Sequence, residues 1–328
     1  MNIIKRQVHL QQHNKPPYQR PTNRPNQRGV QETLRQRLKP FPNNKQIRQK
    51  TLIIYCYFEN EETKNNLQFF LKNGVINSNE CKYAFIINNN KCTVDFPPSN
   101  NITLFNRKEN DNDLCTYKWF IHEMGNVYFS EYSRIYFINS SCIGPFISPC
   151  CSLNWIDIFN EMLKENELIG PVIEIPPDNL GFKALGISSN KNIPFIHTYM
   201  FGVNSRGFSI IKKVFKNIDN NDKNYAVYNT ERKLTSSVLI NGGRVKSCLA
   251  RYKNIDLNKE ENWNFNKWNT QNAVTCYEIP KNYFGIDLNP FEIIFVKNIR
   301  NTNGPRIKEH SGISNDLFLY IENYKKWL

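Results

Sequence analysis

No uninterrupted apolar run of about 18 residues occurs in the chain, so the sequence contains no candidate membrane-crossing helix. The opening residues, MNIIKRQVHLQQHN, lack the apolar centre of a secretory signal. A soluble, cytoplasmic protein is the expectation. Among the nine cysteines there is no C-x-x-C pair and no metal-ligand spacing, which argues against a disulfide framework and a structural zinc site alike. Adjacent Cys150 and Cys151 read as packing thiols. A phosphate-binding glycine loop and a basic recognition helix are also missing, leaving sequence-specific DNA binding unsupported.

Acidic residues are scarce in one place. The first 50 residues hold twelve Lys and Arg against the single Glu32, so +11 of the chain's net +14 lies there and only +3 on everything after. The same stretch contains Pro16, Pro17, Pro21, Pro25, Pro40 and Pro42 among Gln and Asn, with too little apolar surface to offset the entropy of ordering a backbone. Residues 1–50 are therefore expected to be a disordered basic arm, and 51–328 the folded part. Such an arm attracts phosphate, in nucleic acid or in anionic lipid, through counterion release that needs no fold. A plain solvated tether fits the composition equally well.

What is present after residue 50 is enough for a core, with 40% hydrophobic and 13% aromatic residues in the chain. Short apolar runs alternate with helical patterns. TLIIYCYF reads as a buried strand and EETKNNLQFFLKNG as a helix closed by Gly74; strands follow at KYAFIIN, NITLFN and SRIYFIN, with helices at DLCTYKWFIHEM and NWIDIFNEMLKEN. ELIGPVIEI, PFIHTYMFGVN, RVKSCLARY and FEIIFVK read as further strands, SRGFSIIKKVFKNI and TERKLTSSVLINGG as helices, and residues 315–328 as a terminal helix. Strand-helix alternation of this kind predicts an open, mostly parallel α/β sheet flanked by helices. In such sheets ligands bind beyond the carboxyl ends of the strands.

One strand ends there in an unusual way. RIYFINSSCIGPF passes from apolar residues into Asn139, Ser140 and Ser141 and then into Gly144-Pro145. Two hydroxyls and an amide can hydrogen-bond a sugar or a phosphate, and can equally cap the strand through a local turn.

FINSSCIGPF resembles the signature of glycosyltransferases related to the rhamnan synthesis F family. TLIIYCYFENEETKNNLQFFLKNG, NRKENDNDLCTY and WIDIFNEMLKENELIG are similar to further segments of that family in the same order, over about residues 51–255. The resemblance implies a GT-A-like fold. It also implies hexosyl or deoxyhexosyl transfer from a nucleotide-sugar donor to a glycan or glycoprotein acceptor, in polysaccharide biosynthesis. Arg107, Glu109, Asn110 and Asp113 carry over by letter to the donor side together with Asn139, Ser140, Ser141 and Gly144, while Cys115 stands where glycine is usual. Arg107 is expected to pair with diphosphate through its planar fork, and Asp113 either to accept a ribose hydroxyl or to cap its helix.

Asp111-Asn112-Asp113 spells a D-x-D, the pattern by which many glycosyltransferases hold Mg²⁺ or Mn²⁺. In the GT-A pattern, however, Asn139, Ser140 and Ser141 occupy that motif's place. A divalent ion is thus one alternative, and a neutral site with Arg107, Arg206 or Lys212 offsetting the diphosphate charge is the other. On the acceptor side, PFIHTYMF is similar to a family strand, with Phe195 where His is usual and His197 where Gln is usual. His197 and Thr198 are either acceptor contacts or core residues. Glu231, opening a helix, matches a family glutamate and is the candidate base of an inverting transfer, with Asp157 in reserve. The competing class is a non-catalytic sugar-fold protein, or a nucleic-acid binder working through the arm.

Overall fold

The computed structural model describes residues 50–176, 192–218, 223–263 and 286–297 with isolated positions elsewhere, and for 223–229 the backbone alone. The expected arm falls almost wholly outside the described residues. So does the expected terminal helix.

Seven residues without a charge, TLIIYCY, form β1 (Thr51–Tyr57), buried along its whole length. Asn60 then caps α1 (Glu61–Asn73): its side chain accepts from the Thr63 N–H while the Thr63 hydroxyl accepts from the Asn60 N–H, and Gly74 ends the helix. The chain continues through β2 (Cys81–Asn88), β3 (Ile102–Arg107), α2 (Asp113–Ser130), β4 (Arg134–Asn139) and β5 (Cys142–Ile143). Next come α3 (Trp155–Leu163), β6 (Leu168–Gly170), β7 (Ile173–Glu174), β8 (Phe195–Ile196) and β9 (Met200–Asn204). Then follow α4 (Ser205–Lys216), α5 (Lys223–Ile240), β10 (Val245–Ser247), α6 (Pro290–Ile293) and β11 (Val296–Lys297).

The main sheet has seven strands in the order β10-β6-β9-β4-β1-β2-β3. All run parallel except β9, which is antiparallel to both neighbours. The expected open, mostly parallel α/β sheet is present. Because β1, β2, β3 and β4 are parallel, Tyr57, Asn88, Arg107 and Asn139 finish at one rim; Asn88 stands opposite Arg107 and Cys56 opposite Asn139. The antiparallel β9 begins at that same rim, where the Asn139 N–H donates to Tyr199 O at 3.0 Å.

Aromatic residues fill both faces. Tyr117, Phe137, Phe201 and Phe215 pack together under α2 and α4, with Phe137 stacked on Phe201 at 4.6 Å between centroids. On the other face Trp155 meets Phe70, Tyr136, Phe159 and Phe295, and its ring N–H donates to Gly74 O at 2.8 Å.

Three expected strands are shorter than their apolar patterns. PFIHTYMFGVN is split into β8 and β9, ELIGPVIEI into β6 and β7 around Pro171, and RVKSCLARY gives β10 followed by a 3-10 turn at Ala250–Tyr252. FEIIFVK is not a strand: Asn289 caps the short α6, with Pro290 in its first turn, and only Val296–Lys297 pairs. Apolar content reported burial there, and the Asn-Pro cap decided the backbone.

Candidate functional site

The signature loop is tied together by hydrogen bonds from its small polar residues. Asp113, in the first turn of α2, accepts from Asn139 Nδ2 at 2.5 Å. That fixes the amide, because a carboxylate only accepts, and turns Asn139 Oδ1 towards the loop, where it accepts from the Ser141 N–H at 3.0 Å and from the Ser141 hydroxyl. The result is a chain from Asp113 through Asn139 to Ser141 at the carboxyl rim. Ser140 faces the other way. It is buried, its hydroxyl accepts from the Phe58 N–H at 3.2 Å, and its carbonyl accepts from Asn66 Nδ2 at 2.9 Å. Its role is to lock the loop to β1 and α1.

Gly144 has a φ of +153° and lies against the segment after α6. A Cβ there would stand 2.6 Å from Ile294 O and 2.7 Å from the Phe295 ring. This close approach lets the Phe146 N–H donate to Ile294 O at 2.8 Å and lets β11 pair antiparallel with β5, setting Lys297 opposite Cys142. Gly144 therefore supports the site from beneath rather than lining it.

Two further stretches reach the same place. Thr198, in the turn between β8 and β9, donates its hydroxyl to Glu231 Oε1 on α5. His197 is buried, stacks on Phe195 at 5.0 Å, and sets its Nε2 3.1 Å from the Glu174 Oε1 of β7. Burial pushes the Glu231 carboxyl above its usual range, opposed by Lys297, by the Thr198 hydrogen bond and by His197, and reinforced by Asp113. Burial likewise raises Asp113, opposed by the Asn139 hydrogen bond and by Lys297. These mutual influences put Asp113, Asn139, Thr198, His197, Glu231 and Lys297 in one electrostatic neighbourhood.

The remaining expected residues lie elsewhere. Arg107 is buried and engaged inside the protein: it ion-pairs with Asp111 at 2.6 Å and Glu109 at 3.4 Å, donates to Asn88 Oδ1 and the Thr116 hydroxyl, and lies over the Trp119 ring at 5.6 Å. Its fork faces the end of β2 and not the Asn139 loop. Asp111 is thus committed to Arg107, and Asn112 caps α2 by accepting from the Cys115 N–H at 2.9 Å, so the D-x-D letters serve a helix start. Glu109 and Asn110 are exposed beside it. Asp157 sits at the opposite end of the sheet: it joins the cap of α3 with Asn154, and its charge bears on Cys81, where β2 begins. Arg206 binds Glu167 and the carbonyls of Asn241 and Gly242, and Lys212 donates to Asn126.

Lys297 and Glu174 had no signal in the sequence beyond being charged residues inside apolar runs, FEIIFVK and GPVIEI. Among the described residues no group of three or more His, Cys, Asp or Glu side chains is arranged to hold a metal ion. The two rim carboxylates are hydrogen-bonded, Asp113 by Asn139 and Glu231 by Thr198, and the Lys297 cation acts on both. No described helix is long and apolar enough to cross a membrane.

Comparison with known proteins adds likeness to solved structures. No protein family and no curated protein matches the chain by sequence. Among solved structures it is similar to the mannosyltransferase PcManGT from Pyrobaculum calidifontis, in complex with GDP-Man and Mn²⁺, at 9% identity and a TM-score of 0.38. The likeness covers 67% of this chain and 61% of that one.

Proposed function

We propose that the chain is a glycosyltransferase whose transfer site is the cluster at the carboxyl rim of the sheet. The observation that carries the reading is convergence: α2, the loop after β4, the turn before β9, α5 and β11 each bring a polar or charged group to one place. Rim positions of open α/β sheets are where ligands bind, and the FINSSCIGPF resemblance supports an activated sugar as that ligand. The wider GT-A assignment and the rhamnan synthesis F relationship rest on that resemblance.

In this reading Glu231 takes the proton of the acceptor hydroxyl as its oxygen bonds to the sugar's anomeric carbon. The bond from that carbon to the donor phosphate breaks, and its electron pair leaves with the diphosphate. Attack from the face opposite the leaving group makes the transfer inverting. Lys297 offsets the charge that develops on the diphosphate, and the Ser141 hydroxyl, its proton on Asn139 Oδ1, accepts from a hydroxyl of the donor. Thr198 holds Glu231, and the His197–Glu174 pair forms the wall beside it.

The test is Glu231→Gln, which retains the acceptor for Thr198 and removes the base. Transfer from a panel of nucleotide sugars is expected to be abolished while nucleotide-sugar thermal stabilisation and the unfolding temperature persist. Undiminished transfer removes Glu231 from the mechanism. Assay with and without EDTA decides the metal question, and complete loss on chelation overturns the neutral site.

A further inference from the structure

A second cleft lies on the outside of the sheet, between α2 and α4. It encloses about 510 Å³, a volume within the range of about 300–1,000 Å³ typical of small-ligand sites. Trp119, Ile121 and Phe215 give it apolar lining, and Lys118, Lys212, Lys213 and Lys216 contribute four ammonium groups. Arg107 at one end has its carboxylate partners Glu109 and Asp111. The four lysines have none within ion-pair distance among the described residues: Lys118 Nζ donates to Ile218 O and Lys212 Nζ to Asn126 Oδ1, each at 2.7 Å, and both acceptors are neutral. Lys213 and Lys216 lie in the last turn of α4, where cations favour the helix dipole. That accounts for two of the four. Lys118 is in the second turn of α2 and Lys212 further up α4, and no dipole argument places them here.

We propose that this cleft binds an organic phosphate, its phosphoryl group among Lys212, Lys213 and Lys216 and its apolar body against Trp119 and Phe215. Charge complementarity selects the anion, since four mutually repelling cations around an apolar floor are neutralised together by one multiply charged group. The apolar floor selects a phosphate bearing an aromatic ring or an acyl chain over a free inorganic ion. This ligand chemistry is shared by a soluble aryl phosphate and by a phospholipid headgroup with its first methylenes. The proposal is independent of the transfer site, since Arg107 alone of the named rim residues lines the cleft and it has no part in the transfer cluster.

The full chain is titrated calorimetrically with phenyl phosphate and with dihexanoyl phosphatidic acid, and its cosedimentation with phosphatidylcholine vesicles containing phosphatidic acid is measured. Lys213→Glu with Lys216→Glu, at two exposed positions, is expected to weaken binding of at least one soluble phosphate tenfold or more. Lys253→Glu with Lys259→Glu, carrying the same charge change elsewhere, is expected to have little effect. Vesicle binding that falls in parallel identifies a lipid source. Vesicle binding that is unchanged while a soluble phosphate is lost identifies a soluble one. Failure of the wild-type chain to bind either soluble phosphate, or equal losses in the two double variants, overturns the proposal.

Discussion

Glu231 and Lys297 divide the proposed chemistry between a base that must lose a proton and a cation that makes losing it easier. Burial raises the Glu231 carboxyl and Lys297 lowers it, so the acid limb of kcat/KM is expected above the ordinary carboxylate range. Lys297→Met removes the opposing influence. The limb should move to still higher pH, and kcat should fall by about 10²–10³, the usual loss when one group stabilising a developing charge is removed. A merely structural lysine would lower activity without moving the limb. The same raised carboxyl sets a sign for stability. Its native state holds a proton to higher pH than the unfolded chain does, so stability is lost as pH rises from the unfolded carboxylate range through the raised native value. His197, Asp113, Lys297 and Thr198 face it and shape that window. Unfolding temperatures measured across mildly acid to neutral pH should therefore fall less in Glu231→Gln than in the wild type.

The strand pair β5–β11 is only two residues long on each side, yet it carries Lys297 to the rim. Three features hold it: the absence of a side chain at Gly144, the Phe146 N–H on Ile294 O, and the Tyr199 hydroxyl donating to Phe295 O at 3.2 Å. Gly144→Ala places a methyl against backbone 2.6 Å away, which must move. A stability loss of about 1–3 kcal/mol is expected from chemical unfolding, with a drop in turnover resembling that of Lys297→Met. Full turnover in Gly144→Ala would separate β11 from the site. This pairing also marks where the sequence stops being legible. The sheet could be read from its apolar runs, and the Asn139 loop from a strand ending in small polar residues, because both signals are local. Lys297 pairs with Cys142, next to Ser141, from more than 150 positions away, and no periodicity reports such a pairing. Asp157, the reserve base, is on the helix that follows the loop in sequence. Residues 144–154 instead return the chain to the opposite rim, where Trp155 anchors on Gly74. Arg107 looked like a phosphate ligand by residue type, and only the positions of Asp111, Glu109 and Trp119 reveal its internal partners.

The charge of the chain is divided unevenly. The portion after residue 50 is nearly neutral, with +3, and it contains every group assigned to transfer. Electrostatic attraction of the chain to a polyanion must then come mainly from residues 1–50, while chemistry at the rim should be indifferent to them. Truncation before Lys50 is a clean boundary: the Lys50 carbonyl accepts from the Ser133 N–H at 3.0 Å and its ammonium pairs with Glu131 at 3.0 Å, so both contacts survive. Removing residues 1–49 deletes eleven Lys and Arg with Glu32. Turnover with a soluble acceptor is expected to stay within about twofold, since none of the transfer groups is lost. Binding to anionic vesicles or single-stranded nucleic acid should weaken, and the slope of log affinity against log salt should shrink, because each phosphate contact contributes about 0.7–0.9 to that slope. A truncated chain that loses transfer but keeps the salt slope would assign the arm to the reaction and the polyanion contact to the folded portion, the reverse of the division inferred from charge.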